Sequence, residues 1–264
     1  VTSRNDTGRV TNGGTTTVSF NNHKDEERTP DLDTTDHFAY IIGYPDGTIR
    51  PEGNITRAEV ATIFFRLLKD EAREANWSQV NDFTDVPADK WYNNAISTLA
   101  NMGVISGYPD GSFRPDAPIT RAELTKIAVG FFAGGEAHYS YNGRFTDVEG
   151  SEWYVQSLMK ALDMGIINGY PDGSFGPGRY ITRAETCTII NRTIDRHPHV
   201  DHLLPRGEML MWIDNTDSGK WYYAQMQEAT NSHDYHMMSI LGESFENWTE
   251  KLVERDWAAL EKSW

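Results

Sequence analysis

Arg57, Arg121 and Arg183 each stand in the same pentapeptide, Ile-Thr-Arg-Ala-Glu, first 64 and then 62 residues apart. The threonine and the glutamate three residues on (Thr56 and Glu59, Thr120 and Glu123, Thr182 and Glu185) form a capping box, in which each side chain accepts from a backbone amide at a helix start. The arginine therefore falls at the first helical position. That is a poor place for a cation, because aligned peptide dipoles already make this end of a helix positive. Local stability does not explain it, but an anionic ligand would: free backbone donors, the dipole and a planar guanidinium fork could converge on one carboxylate. The three arginines are candidate ligand contacts on this ground, with solvated or ion-paired arginines as the alternative. The capping box accounts for the three glutamates, which are read as structural.

A groove for a ligand with apolar faces and polar edges pairs aromatic walls with polar acceptors. Tyr44, Tyr108 and Tyr170 stand beside Gly-Tyr-Pro-Asp-Gly turns and could form such walls. Trp91, Trp153 and Trp221 are further candidates. Core packing is the weightier reading for these tryptophans, since each opens an amphipathic helix, and ligand contact is kept beside it. Gly43, Gly107 and Gly169, just before the tyrosines, either permit close approach of a ligand to the backbone or serve only the turn. Asp85, Asp147 and Asp214 are read as helix caps, with binding of a ligand hydroxyl as the secondary reading.

A repeated unit must position these residues. Three stretches align, from Ile41, Val104 and Ile166, each running from the Pro-Asp-Gly turn through a loop to the capping box. Pro presets φ, Asp supplies an acceptor and Gly tolerates positive φ, so the chain reverses there. In the first copy Val60, Ile63, Phe64, Leu67 and Leu68 then recur at helical period. A second block, from Phe83 and again from Phe145, reads as a helix starting near Trp91 or Trp153 and stopping at Gly103 or Gly165. The expected fold is mainly α: three helix-turn-helix repeats in a pseudo-threefold arrangement, with a short N-terminal β-type segment. The repeats span 37–75, 80–135 and 142–196. Residues 1–36 read as the tail of an upstream β domain plus linker, and 197–264 as linker, partial repeat and C-terminal helices, with 245–264 as one or two short amphipathic helices.

The first copy lacks the leading block. The segment from Trp212 matches it, with Trp212 in the place of Phe83, Asp214 of Asp85 and Trp221 of Trp91. The tail helix at 221–229 is therefore expected to pack beside the first unit and close a ring. The third copy has Gly176 where the others carry Arg50 and Arg114, and Gly-Arg-Tyr before its capping box, so its groove is expected to differ in affinity or be silent.

Composition narrows the function. With 24 Lys and Arg against 39 Asp and Glu, the net charge of −15 argues against nucleic acid or an anionic bilayer as partner. No apolar run reaches membrane-spanning length. The chain begins on Val1 without a signal peptide, as expected if an export signal lies upstream in a longer protein. The single cysteine, Cys187, lies among apolar helical residues and is read as packing. No metal site or cofactor is expected. The Pro-Asp-Gly turns lack the alternating carboxylates of a calcium loop, and the His-rich 197–202 is a Pro-flanked connector without a second ligand cluster. No nucleophile elbow, phosphate loop or HExxH appears, and residues in triplicate do not resemble a catalytic dyad, which occurs once.

The three Gly-Tyr-Pro-Asp-Gly turns, the Phe-Thr-Asp-Val blocks at 83 and 145 and the three Ile-Thr-Arg-Ala-Glu motifs resemble the surface-layer homology domain family. That resemblance implies a pseudo-trimer of repeats within one monomeric chain. It also implies non-covalent binding, in grooves between repeats, of a peptidoglycan-linked secondary cell-wall polysaccharide that often carries a pyruvate ketal, with Arg57, Arg121 and Arg183 meeting the acidic sugar. An extracellular protein held at a bacterial cell wall follows, with a structural surface lattice or an accessory region of a glycoside hydrolase as alternatives. Residues 15–24 resemble the final strand of a pilin-type or collagen-adhesin-type domain, where Asn22 matches the position of an isopeptide-forming asparagine.

Overall fold

The computed structural model describes residues 31–132, 139–240 and 242–262. The three capping boxes open helices α1 (Arg57–Arg66), α4 (Arg121–Gly130) and α6 (Arg183–Thr193), each with the threonine accepting from the third amide and the glutamate accepting from the cap. A short α2 (Asp70–Asn76) follows α1. The leading blocks form α3 (Asn93–Asn101), α5 (Val155–Asp163) and α7 (Tyr223–Thr230). Gly103 and Gly165 end α3 and α5 at φ of 73° and 70°, the left-handed conformation that makes glycine the favoured stop.

The capping-box helices meet at a common axis. Ile119 N donates to Ile55 O (3.1 Å), Ile181 N to Ile119 O (3.2 Å) and Ile55 N to Ile181 O (3.3 Å), so three backbone bonds form a closed cycle. Around it the first two amides of every capping-box helix are taken by the loop of the next repeat. Arg57 N and Ala58 N reach Ala117 O and Pro115 O, Arg121 N and Ala122 N reach Arg179 O and Pro177 O, and Arg183 N and Ala184 N reach Gly53 O and Pro51 O. The last pair carries the cycle from the third repeat back to the first. One continuous hydrophobic core includes buried side chains from all the repeats.

Each capping-box helix packs on the leading helix that follows it: α1 on α3, α4 on α5 and α6 on α7. At the far end of each leading helix one carbonyl accepts two amides of the next segment. Leu99 O serves Val104 and Ile105, Ala161 O serves Ile166 and Ile167, and Ala229 O serves Tyr40 and Ile41. The aspartates make a second recurring contact, and here the sequence reading needs correction. Asp85, Asp147 and Asp214 do not cap helices, since α3, α5 and α7 have no side-chain cap. Their carboxylates instead accept two successive amides after the Pro-Asp-Gly turn: Phe113 and Arg114, Phe175 and Gly176, and Ile49 and Arg50. These amides need an external acceptor because the backbone turns left-handed there, with φ of 50° at Arg50, 58° at Arg114 and 71° at Gly176.

After α7 the chain forms an antiparallel ribbon, β1 (His233–Ile240) with β2 (Glu243–Lys251), and ends in α8 (Trp257–Leu260). The expected helices across 245–264 are therefore corrected in part: 245–251 is strand, and the helix in that span is the short α8. Phe245 and Trp248 stand three apart, which imitates helical spacing. In the ribbon both are buried, Phe245 against the His202 ring (4.4 Å) and Trp248 against His233 (3.6 Å). The β segment among the described residues is thus C-terminal. The N-terminal β-type segment, with Asn22, lies outside the described residues. Cys187 is buried as expected, and burial pushes its thiol up to about 12.

Candidate functional site

Three grooves repeat around the axis. The first, about 210 Å³, is lined by Glu59, Arg66, Trp91 and Arg183 among others. The second, about 690 Å³, has Arg57, Tyr108, Glu123, Lys126 and Trp153 in its walls. The third, about 600 Å³, has Arg121, Tyr170, Arg179, Glu185, Arg192 and Trp221. Each therefore combines the glutamate of one repeat, the arginine of the repeat before it in the cycle and the tryptophan that opens the next leading helix.

The arginines are buried, at 5, 7 and 3 % exposure for Arg57, Arg121 and Arg183. The amides behind them belong to neighbouring loops, so the expected free backbone donors are not available to a ligand, and the guanidinium is what reaches the groove. Arg57 donates from Nε to Phe113 O (2.7 Å) and from Nη1 to Glu123 (3.0 Å), and Arg183 likewise to Ile49 O (2.7 Å) and Glu59 (2.7 Å). Arg121 differs, with Nη2 on Asn168 O (2.8 Å) and a buried Nε that has no partner among the described residues. A tyrosine ring lies by each guanidinium: Tyr108 at 4.8 Å from Arg57, Tyr170 at 4.7 Å from Arg121 and Tyr44 at 5.1 Å from Arg183.

The glutamates do more than cap. Their second oxygen accepts from the tyrosine hydroxyl, Tyr44 to Glu59 at 3.0 Å, Tyr108 to Glu123 at 2.5 Å and Tyr170 to Glu185 at 2.7 Å. Burial alone would push the Glu123 carboxyl up. Bonds from Tyr108 and Thr120 and the Arg57 charge overcome it and hold the group below the usual carboxylate range. At Glu185 burial likewise pushes the carboxyl up, and bonds from Thr182 and Tyr170 with the Arg121 charge outweigh it and hold the group low. A depressed folded pKa gives stability that is complete above the unfolded pKa and lost as pH falls through the folded one.

The tryptophans are not core residues, which corrects the weightier sequence reading. Trp91, Trp153 and Trp221 are 57, 61 and 63 % exposed, and the next residues, Tyr92, Tyr154 and Tyr222, are buried in their stead. Each leading helix turns its tyrosine to the core, which leaves the preceding indole on the groove rim. The glycines serve packing. A Cβ on Gly107 would stand 2.5 Å from Ser112 O and 2.6 Å from the Phe83 ring, and Gly43 and Gly169 face Trp212 and Phe145 as closely. Gly107→Ala is expected to cost about 1–3 kcal/mol in thermal denaturation while the folded fraction keeps its ligand affinity. A selective loss of affinity at unchanged stability would contradict this packing role.

A family model described as the S-layer homology domain matches residues 39–61, 82–125 and 144–187. These segments are S-layer homology domains. The S-layer homology domain is a non-catalytic anchoring module. Similar proteins include "Cell surface glycoprotein 1" of Acetivibrio thermocellus, 36 % identical over 210 residues covering 76 % of this chain and 9 % of that protein. The "Cellulosome-anchoring protein" of the same organism is 33 % identical over 84 % of this chain and 47 % of its own length. The "Surface-layer 125 kDa protein" of Lysinibacillus sphaericus is 34 % identical over 62 % and 14 % respectively. The chain spans less than half the length of each of these relatives.

The three S-layer homology grooves differ in ways the sequence reading missed. In the first two repeats Arg50 and Arg114 lie over Tyr44 and Tyr108 at 3.8 and 4.0 Å. In the third, Arg179 takes that place over Tyr170 at 4.6 Å, so the change to Gly176 does not remove the cation. The first groove is crowded by the chain's own end: Arg66 Nε donates to the Glu261 carboxylate (2.6 Å), and Asn94 donates to Glu261 O (2.8 Å). Nothing in the repeat pattern announces Glu261, because it belongs to a tail that has no counterpart in the other repeats.

Proposed function

We propose that this chain holds a surface protein on the bacterial cell wall by binding a peptidoglycan-linked secondary polysaccharide, with the second and third grooves as the principal sites. The carrying observation is the facing of an exposed tryptophan and a buried arginine across a groove between repeats. An indole face suits the apolar side of a sugar ring, and a guanidinium in a poorly solvated wall suits a carboxylate such as a pyruvate ketal. The net charge of −15 leaves anion capture to such discrete sites. Lys126 near the Trp153 ring (5.6 Å) adds a second cation in the second groove. In the third, the unpartnered Nε makes Arg121 the least committed of the three guanidinium groups. The first groove is a weaker site, since Glu261 already holds Arg66.

Two sites on one polymer multiply retention through effective concentration, so a single chain suffices without oligomerisation. The relatives are named for cell surfaces, surface layers and cellulosome anchoring, which supports the same location for this chain. The deciding measurement is cosedimentation with purified sacculi before and after removal of the secondary polymer. Trp153→Ala and Trp221→Ala, at exposed positions that leave folding intact, should each weaken retention by about tenfold or more, and both together should abolish it. High ionic strength should weaken it too. Full pelleting of the double variant, or unchanged pelleting on stripped sacculi, would remove the basis of this reading.

A further inference from the structure

Away from the grooves, four side chains from four parts of the chain converge in a buried cluster. His37 comes from the start of the first repeat, Glu228 from α7, His233 from β1 and Glu246 from β2, and all are at most 2 % exposed. His37 Nδ1 is 3.2 Å from His233 Nε2, 3.2 Å from Glu228 Oε1 and 3.6 Å from Glu246 Oε2, and His233 Nε2 is 3.4 Å from Glu228 Oε2. One donor atom from each residue fits within a span of 4.8 Å. Donors arranged tetrahedrally at about 2.0–2.2 Å from an ion stand roughly 3.3–3.6 Å apart.

The neighbouring donors do not reach every atom of the cluster. His233 Nδ1 faces Asn231 O at 2.9 Å, a contact that needs the proton on Nδ1 and leaves a lone pair on Nε2, turned into the cluster. That carbonyl is the outer partner a ligating histidine ordinarily has. His37 Nδ1 brings at most one proton to the several lone pairs it faces. Glu228 Oε2 and Glu246 Oε2 are buried without a hydrogen-bond partner among the described residues, an arrangement that is costly when nothing compensates it. Arg196 Nη1 lies 3.3 Å from Glu228 Oε1 and balances one carboxylate. The outer oxygen of Glu246 accepts from His197 N at 2.6 Å, which fixes the inner one toward the histidines.

We propose that His37, Glu228, His233 and Glu246 bind one divalent zinc ion in a closed structural site. Two imidazoles and two carboxylates in a tetrahedral, solvent-excluded cage suit zinc, whereas calcium or magnesium would require more oxygen ligands. The ion would pin the ribbon to α7 and both to the start of the first repeat, where His233 N already donates to His37 O (3.1 Å). It would thereby tie residues ahead of the first capping-box helix to residues that follow the third. His197 and His199, in the His-rich connector that the sequence reading set aside as a metal site, remain outside it.

The test uses the full chain stripped with chelator and dialysed, then given zinc. Elemental analysis after gel filtration should find one equivalent per chain, and a hundredfold excess of zinc over its Kd should raise the Tm by roughly 5–10 °C, reversed by chelator. Cobalt in place of zinc should give the intense visible bands of a tetrahedral site. Glu246→Gln, which keeps shape, should lower affinity at least tenfold, while a His197→Ala, His199→Ala double variant should keep it. No retained zinc with an unchanged Tm, weak octahedral cobalt bands, or zinc lost in the His197 and His199 variant but kept in Glu246→Gln would each overturn the proposal. The wild-type measurements decide it even if Glu246→Gln folds poorly.

Discussion

A chain ending at Pro205 should lose the cooperative melt of the whole ring, because α7 and the residues before it complete the first repeat. We propose that 212–230 be counted as the leading block of that repeat, a unit whose two halves lie at opposite ends of the sequence. The truncation removes Asp214, which accepts the Ile49 and Arg50 amides at 3.0 and 2.7 Å, and Ala229 O, which accepts those of Tyr40 and Ile41 at 3.0 and 2.9 Å. It also strips Trp212 from Gly43 and buried Met226 and Ala229 from the core beside α6. Charge-assisted bonds at about 1.5–3 kcal/mol each and apolar side chains at about 1.5–3 kcal/mol sum to a large share of an ordinary domain's net stability of about 5–15 kcal/mol. Asp214→Ala alone should cost about 3 kcal/mol. Hydrogen exchange of amides in 39–61 reports the loss directly. If the truncated chain melts as before, with those amides still protected, the ring does not depend on its tail.

How much of this was legible follows from what repeats. The capping boxes, the turns, the Gly103 and Gly165 stops and the match of Trp212 to Phe83 are local patterns, and a local pattern states its own hydrogen bonds. The place of the arginines was not legible in full. Their position at a helix start suggested a ligand at that helix's own free amides, but the loop of the next repeat uses those amides, and the side chain enters a neighbour's groove. That exchange depends on the cyclic Ile55, Ile119 and Ile181 contacts, which are long-range. The tryptophans misled for a related reason: Trp91 and Tyr92 both suit a core, and only the helix phase fixed by packing against α1 decides which enters it. The aspartates looked like caps because the amides they serve lie 28 and 29 residues downstream in the second and third repeats. Glu261, His233 and Glu246 belong to unrepeated chain, where no internal comparison exists, and the His37 cluster forms only when the latter two meet His37 and Glu228.

Arg57→Ala should both destabilise the ring and disable the second groove, and the two effects can be separated. The guanidinium lies by the Tyr108 and Phe113 rings (4.8 and 4.6 Å), bonded to Phe113 O and Glu123. Its removal leaves the Glu123 carboxylate with hydroxyl and amide donors but no cation, so a cost of about 3 kcal/mol is expected, seen as a Tm lowered by roughly 6–12 °C. Arg57→Lys keeps the charge and loses the fork, so it should recover part of the stability and little of the sacculus binding. The pair also has a pH signature. Because the Glu123 carboxyl is held low in the folded chain, the pair's contribution should persist to pH values below the unfolded glutamate's ordinary value of about 4.3 and vanish only as pH falls further, whereas in Arg57→Ala the acid-side fall should be shallower. Binding is read at a temperature where each variant is folded. With Trp221→Ala present to silence the third groove, folded Arg57→Ala chains should fail to pellet with sacculi. Were they to pellet as the parent does, the arginine would be a structural strut between repeats and the acidic sugar would have to be met by other cations of the second groove, with Lys126 the first to test.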